Sequence, residues 1–123
     1  MKLTVLDGAY QIAKLKISDE IPSDVFNQEF CSFTRTDEEI SLVVDCKVNM
    51  KNVVVEKPWK IIKIKGVLDF SLIGILAKVS KILANNGISI FVVSTYNTDY
   101  ILVKASNLGR AVEVLTDNDY YFE

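Results

Sequence analysis

The chain has 123 residues, half of them hydrophobic, and a formal net charge of −2. This length fits one ordinary domain or two very small ones, and the near-neutral charge gives no electrostatic case for binding nucleic acid or an anionic membrane. The chain contains no histidine and only two cysteines, which excludes Ser-His-Asp and Cys-His nucleophile activation and a four-ligand zinc site of the usual structural kinds.

The sequence pattern predicts neither a membrane span nor an export signal. The longest apolar stretch, residues 72–83, is interrupted by Lys78 and Lys81, and no run reaches the ~18 apolar residues that a membrane-spanning helix needs. The N-terminus turns polar too soon for a signal peptide, so we expect a cytoplasmic protein. In that compartment Cys31 and Cys46 are expected to be buried and reduced rather than joined in a disulfide.

The first half of the chain predicts short strands and little helix. Apolar patterns predict strands at residues 2–6 and 10–17. Pro22 begins a stretch that suits one helical turn. Two further strands, residues 30–34 and 40–44, are predicted to form a hairpin around a polar turn.

A join between two parts of the chain is predicted at Glu56-Lys57-Pro58, because proline favours an extended conformation in the residue before it. A module of about 60 residues buries only ~60% of its unfolded surface and is marginal in isolation. We therefore expect two modules, residues 1–57 and 58–123, that share a core or pair edge to edge.

The second half predicts six elements in the order β-α-β-β-α-β. Strands are predicted at residues 59–65, 88–95, 100–104 and 120–122. This order is that of the ferredoxin-like, split βαβ fold. We interpret the first half as a degenerate copy with a stunted helix. The predicted fold class is therefore α+β, with two tandem ferredoxin-like βαββαβ modules.

The two helices of this module are predicted from apolar stripes at helical spacing. The stripe of the first helix consists of Leu72, Ile75, Leu76, Val79, Ile82 and Leu83. Asp69 or Ser71 is expected to cap its start, and Asn86-Gly87 to end it. Asn107 is expected to cap the second helix.

Three segments of the second half resemble the ACT domain family. Residues 67–77 are similar to its strand-to-helix segment, residues 83–90 to its helix end and second strand, and residues 94–103 to the hairpin of a tandem-ACT subfamily. That subfamily resembles the amino-acid-binding regulatory part of aspartate kinases and a cytosolic arginine sensor of animals. The resemblance implies a non-catalytic, homodimeric protein without a cofactor, regulated by a small molecule bound at an interface between modules.

The resemblance also implies a ligand site where the loop before the first helix meets a strand of a partner module. On this chain the loop residues are Leu68, Asp69, Phe70, Ser71, Leu72, Ile73 and Gly74, and the hairpin residues are Ser94, Thr95, Tyr96 and Asp99. Asp69 and Gly74 keep the usual pattern of the family, whereas Ile73 stands where other members have proline.

The chemistry of these residue types suits an α-amino acid. The start of a helix offers unpaired N–H groups and a partial positive charge, which attract a carboxylate. Asp69 or Asp99 could pair with an ammonium or guanidinium group. Gly74, expected one turn inside the helix, would let a ligand approach closely.

Each of these residues also has a purely structural interpretation. Asp69 and Ser71 could serve solely to cap the helix, and Asp99 could serve solely to shape a turn. Gly74 could serve helix–sheet packing. Tyr96, like the other tyrosines, is more often a core or rim residue than a ligand contact.

Competing functions find less support in the sequence. RNA-recognition modules of this strand order need aromatic residues on their central strands, whereas residues 60–65 place only isoleucine between lysines, which we interpret as protection of an edge strand. Asp37-Glu38-Glu39 is interpreted as a solvated hairpin tip, and no phosphate-binding glycine motif occurs. We predict an amino-acid sensor without a metal. The alternative is a ligand-free interaction module whose interface is filled by its own Phe70 and Tyr96.

Overall fold

The computed structural model describes residues 1–65 and 74–123. In this part of the chain eight strands and two α-helices follow one another: β1 (Lys2–Val5), β2 (Tyr10–Leu15), β3 (Cys31–Arg35), β4 (Ile40–Asp45), β5 (Val54–Ile64), α1 (Ile75–Asn85), β6 (Ile90–Ser94), β7 (Asp99–Lys104), α2 (Leu108–Asp117) and β8 (Tyr121–Phe122). Short 3₁₀ helices occupy Ser23–Asn27 and Ala105–Asn107. The chain forms two compact units. The first unit is Gly8–Trp59, and the second unit combines Met1–Asp7 with Lys60–Glu123.

The second unit has its strands in the order β6-β7-β5-β1-β8. From β5 onward the chain order is β-α-β-β-α-β, which confirms the predicted α+β, ferredoxin-like class. β1 lies between β5 and β8, antiparallel to the former and parallel to the latter. The sequence alone predicts this strand as part of the first module, whereas it belongs to the second unit. Its alternating apolar pattern predicts a strand, but the pattern does not specify the sheet that the strand joins.

The described residues of the apolar stripe predicted for α1 lie in one core, to which α2 also contributes: Ile75, Leu76, Val79, Ile82 and Leu83. Val79 and Leu83 of α1 and Ala111 and Leu115 of α2 are buried there together with strand residues such as Ile64. The predicted stop of α1 is also confirmed: the Asn86 and Ile88 N–H groups donate to the Leu83 carbonyl, and Gly87 takes a positive φ of 71°. Asn107 occupies the N-cap position of α2 but makes no side-chain capping hydrogen bond, so its predicted capping role is wrong.

The first unit has the antiparallel strand order β3-β4-β2-β5, with residues 54–59 of β5 at one side. Its core includes Leu15, Val25 and Leu42. The predicted helical turn is present as the 3₁₀ helix Ser23–Asn27, which follows Pro22.

Glu56-Lys57-Pro58, the predicted join, lies inside the continuous strand β5, and the two compact units divide in the same strand, between Trp59 and Lys60. The strand continues past the proline where the register between β2 and β5 shifts: Ile12 pairs with Glu56, and Tyr10 pairs with Trp59. Such an irregularity removes the need for a ladder hydrogen bond from the missing proline N–H.

Two further expectations concern the cysteines and a membrane-spanning helix. Cys31 and Cys46 are free and only half-buried, so their expected full burial is wrong. Burial raises the pKa of the Cys46 thiol, against the opposing effect of the Lys57 charge. Within the described ranges neither helix is long and apolar enough to cross a membrane.

Candidate functional site

The hairpin between β6 and β7 brings together the four hairpin residues that the sequence analysis singled out. Ser94 lies directly opposite Asp99 in the β6–β7 register. The Ser94 hydroxyl donates to Asp99 Oδ1 at 2.6 Å, so the carboxylate is held in a fixed position. No described residue donates to the second carboxylate oxygen, Oδ2. Asp99 therefore presents an oriented negative charge at the first residue of β7.

The turn of this hairpin is closed by its two threonines. The Thr95 N–H donates to the Thr98 carbonyl at 2.8 Å, and the Thr98 N–H donates to Thr95 Oγ1 at 3.3 Å. Thr98 Oγ1 in turn donates to the Ile64 carbonyl at 2.9 Å. Ile64 is the last residue of β5, so Thr98 ties the hairpin to the end of that strand. The sequence gives no sign of this role, because nothing in the local pattern distinguishes Thr98 from an exposed turn threonine.

Replacing Thr98 by valine should destabilise the protein by about 1–3 kcal/mol. Valine keeps the shape of the side chain, which is only 4% exposed, but leaves the Ile64 carbonyl without this donor in a buried position. Chemical denaturation followed by circular dichroism measures the change. Thr116→Val is the matched control, because its hydroxyl bonds to the Val112 carbonyl in an exposed place. Equal effects of the two substitutions would contradict the role assigned to Thr98.

Tyr96 and Lys63 depart from their expected roles. Tyr96 is 80% exposed at the hairpin, so it is not a core residue. Lys63 was interpreted as an edge-strand lysine, but it lies on β5 between β1 and β7. Its ammonium lies 5.7 Å from the ring centroid of Tyr100, the residue after Asp99. The Lys63 ammonium therefore lies close to the β6–β7 hairpin.

Gly74 lies at the N-cap position of α1, not one turn inside the helix as predicted. Its φ of +83° is in the left-handed region, where a Cβ is disfavoured. No described atom lies within 4 Å of a Cβ built on it, and the positive φ by itself accounts for a glycine at this position. Among the described residues, α1 has no side-chain cap and no acidic residue in its first turn. The described first-turn residues of α1 therefore do not neutralise the positive end of its dipole.

Two glycine-to-alanine substitutions should have effects of opposite sign. Gly74→Ala should lower the free energy of unfolding by about 1–2 kcal/mol, the cost of placing a Cβ in the left-handed conformation. Gly109→Ala should raise it by about 0.5–1 kcal/mol, because Gly109 lies within α2 with open space around it. Denaturation curves of both variants provide the measurement. A stabilising Gly74→Ala substitution would contradict the assigned backbone role.

The remaining predicted site residues, Leu68, Asp69, Phe70, Ser71, Leu72 and Ile73, lie outside the described residues. Within those ranges, no group of three or more Cys, Asp or Glu side chains has a geometry that could hold a metal ion. Of the residues that the sequence assigns to the ligand site, the structure therefore describes Gly74 at the start of α1 and the four hairpin residues Ser94, Thr95, Tyr96 and Asp99.

Comparison with protein families gives two matches. The model described as the ACT domain matches residues 54–117, just over half of the chain. A second model, which describes an N-terminal domain, matches residues 8–50. No curated protein matches the sequence.

Several solved structures are similar to the chain along most of its length. Protein Atu0741 from Agobacterium tumefaciens is 36% identical with a TM-score of 0.90, and the match covers 99% of this chain and 91% of that one. Protein VC0802 from Vibrio cholerae, described as of unknown function and a possible transport protein, is 21% identical with a TM-score of 0.75, covering 94% and 88%. The regulatory subunit of aspartate kinase from Thermus flavus is 13% identical with a TM-score of 0.67, covering 95% and 96%. From the family match, the chain belongs to the ACT domain family.

Proposed function

We propose that this protein is a non-catalytic regulatory protein that binds an α-amino acid beside the end of β5 in its second unit. The observation that carries this proposal is the Ser94–Asp99 pair, which Thr98 holds beside Ile64. Membership of the ACT family and the shared fold with a regulatory subunit of aspartate kinase support regulation rather than catalysis. Residues 68–74 and the hairpin residues Ser94, Thr95, Tyr96 and Asp99 form the proposed site.

The two poles of an amino acid have complementary partners at this site. The start of α1 carries a partial positive charge that no described acidic side chain neutralises, which suits the ligand carboxylate. Asp99 Oδ2 suits the ligand ammonium, because Oδ1 is already occupied by the Ser94 hydroxyl. In this proposal the ring of Tyr96, which is 80% exposed, covers the ligand.

Removing the charge of Asp99 should weaken ligand binding. Asp99→Asn keeps the size of the side chain and an acceptor for Ser94, but it loses the ionic hydrogen bond to the ammonium. We expect the dissociation constant to rise by on the order of tenfold to a hundredfold, as measured by isothermal titration calorimetry with the amino acid that most stabilises the protein. Asp117→Asn, an exposed aspartate at the end of α2, is the control. An unchanged dissociation constant in Asp99→Asn would refute the assigned site.

A second candidate function is a ligand-free interaction module. Tyr96 supports it, because tyrosine is enriched at protein interfaces and this ring is 80% exposed on the hairpin. Under this alternative, Tyr96→Ser would change the oligomeric state, and no amino acid would stabilise the protein. Under the leading proposal, by contrast, at least one amino acid stabilises the protein without any substitution.

We also propose that the protein is a cytoplasmic homodimer of two-module chains. The order β3-β4-β2-β5 in the first unit supports the interpretation of this unit as a degenerate ACT-like module. Of the four strands β2 to β5, the second and third in sequence come first in this order, followed by the first and then the fourth. The four strands β5 to β8 of the second unit have the same order, β6-β7-β5-β8, except that β1 is inserted before β8. The 3₁₀ helix Ser23–Asn27 then stands in place of the first helix. Sedimentation velocity with and without ligand tests the dimer, and a monomer under both conditions would exclude it.

A further inference from the structure

The first unit contains a groove that lies outside the site proposed above. It has a volume of about 420 Å³, which is within the range of roughly 300–1,000 Å³ that is typical of small-molecule sites. Three segments form it: the end of β2 with the turn after it, the hairpin between β3 and β4, and the entry to β5 at residues 52–54. The groove is thus a place where three parts of one unit meet.

The walls of this groove are held by their own hydrogen bonds. In the turn after β2, the Lys16 N–H donates to Asp19 Oδ2 at 2.8 Å, and the Asp19 N–H donates to the Lys16 carbonyl at 3.0 Å. In the hairpin, the Glu38 and Glu39 N–H groups both donate to Thr36 Oγ1 at 3.1 Å. The turns therefore keep their shape without a ligand, which reduces the ordering cost of binding.

Asn52, on the third wall, has a φ of +59°. Left-handed backbone is uncommon for a residue other than glycine, although asparagine tolerates it better than most. This conformation fixes the direction in which the chain enters β5 beside the groove. An outlier of this kind at a concave site is the sort of local strain that accompanies binding sites.

Charges of both signs line the groove, and they do not neutralise one another directly. Lys14 and Lys16 contribute ammonium groups, and Glu38 and Asp19 contribute carboxylates. In the described part of the chain, none of these four side chains forms an ion pair within 4.0 Å. The four formal charges cancel, so the groove suits a ligand that is itself neutral overall but carries separated charges of both signs.

Apolar side chains lie beside these charges. Leu15 is buried under the groove, and Val53 is half-buried. Val54 is 68% exposed, and it pairs directly with Lys14 across β2 and β5. Directly paired residues project from the same face of a sheet, so an ammonium group and an exposed apolar side chain stand next to each other. A ligand with a short aliphatic part would remove Val54 from water.

We propose that this groove is a second ligand site, which binds an aliphatic α-amino acid. The ligand carboxylate pairs with Lys14 and Lys16, its ammonium pairs with Glu38, and its side chain covers Val53 and Val54. This inference adds a site to the proposed function and does not rest on the site beside β5, because each of its residues lies in the first unit.

Proton–nitrogen correlation spectra of the full chain test this inference, with L-leucine and L-valine as probes. We expect the amide signals of residues 14–19, 36–39 and 52–54 to shift on titration. Isocaproate, which lacks the ammonium of leucine, and isoamylamine, which lacks its carboxylate, should each bind more weakly by on the order of tenfold or more. Binding of either analogue as tight as that of leucine would overturn the proposed zwitterion site.

Variants at the groove sharpen this test. Lys14→Met and Glu38→Gln should each weaken binding by on the order of tenfold or more, whereas Lys47→Met, an exposed lysine of the same unit outside the groove, should leave it unchanged. Shifts confined to residues 94–99, and abolished by Asp99→Asn, would support the site beside β5 and overturn the groove. Shifts in the groove that survive Asp99→Asn would support the groove alone. No shift in the groove with either probe would also overturn the inference.

Discussion

Replacing Gln11 by methionine is expected to lower the free energy of unfolding by about 2–4 kcal/mol. Gln11 is only 1% exposed, and its side-chain amide donates to the Val48 carbonyl at 2.8 Å and to the Asp45 carbonyl at 3.1 Å. Methionine fills a similar volume but cannot donate. The Val48 carbonyl then loses this buried partner, at about 1–3 kcal/mol, and a second hydrogen bond of about 1 kcal/mol is lost with it.

The Asp45 carbonyl contributes less to this expected loss, because it also accepts from the Val48 N–H at 3.1 Å. Denaturation followed by the fluorescence of Trp59, the one tryptophan of the chain and a residue of the same unit, measures the effect. Gln28→Met provides the control, since the Gln28 amide bonds to the Asp24 carbonyl in an exposed position. If the two substitutions cost the same, Gln11 does not hold the turn after β4 as we infer.

Replacing Leu83 by alanine is expected to destabilise the protein by about 2–5 kcal/mol. Leu83 is fully buried in the core of the second unit, on the stripe of α1 that also includes Val79. Truncation removes buried apolar surface and leaves a cavity that surrounding side chains fill only in part. Because α1 begins directly after Gly74, loosening this helix should also weaken the binding of any ligand held at its start.

Lys81→Ala is the matched control for Leu83→Ala. Lys81 lies on the exposed face of the same helix, so its replacement removes no core contact and should change stability by less than about 0.5 kcal/mol. Circular dichroism during denaturation reports both variants. A Leu83→Ala loss as small as that of Lys81→Ala would show that α1 does not pack as described.

Helices were the elements that sequence patterns predicted best. The stripe through Val79 and Leu83 and the stop at Asn86-Gly87 depend on local spacing and backbone preference, and both are confirmed. Strand partners were harder to predict. The pairing of β1 with β5 and β8 joins residues far apart in the chain, and a short apolar strand is compatible with either sheet.

Proline and glycine were misinterpreted for a related reason. Proline usually interrupts a central strand. Pro58 nevertheless lies inside β5, because the register irregularity between β2 and β5 accommodates it. Gly74 fits a helical pattern by spacing, yet its positive φ places it before α1. Thr98 gave no signal at all, because its importance comes from a hydrogen bond to Ile64, which is distant in sequence. Tertiary contacts, rather than local patterns, determine these features.

Regulation requires more than binding. A ligand can shift an equilibrium between two states only by the difference in its affinity for them. In the proposed site that difference would arise if the start of α1 and the Ser94–Asp99 pair take complementary positions in one state only. Sedimentation with and without ligand, proposed above for the dimer, therefore also tests whether binding is coupled to assembly.

The most direct test of the proposed function is thermal unfolding of the full chain against a panel of the standard amino acids. A ligand present at about 100 times its dissociation constant stabilises the folded state by about 2.7 kcal/mol. For a chain of this size, that corresponds to a rise in Tm on the order of 10 °C. An amino-acid-binding protein should show such a rise with one or two members of the panel. An unchanged Tm with every amino acid, at concentrations well above millimolar, would contradict amino-acid binding and favour the ligand-free interaction module.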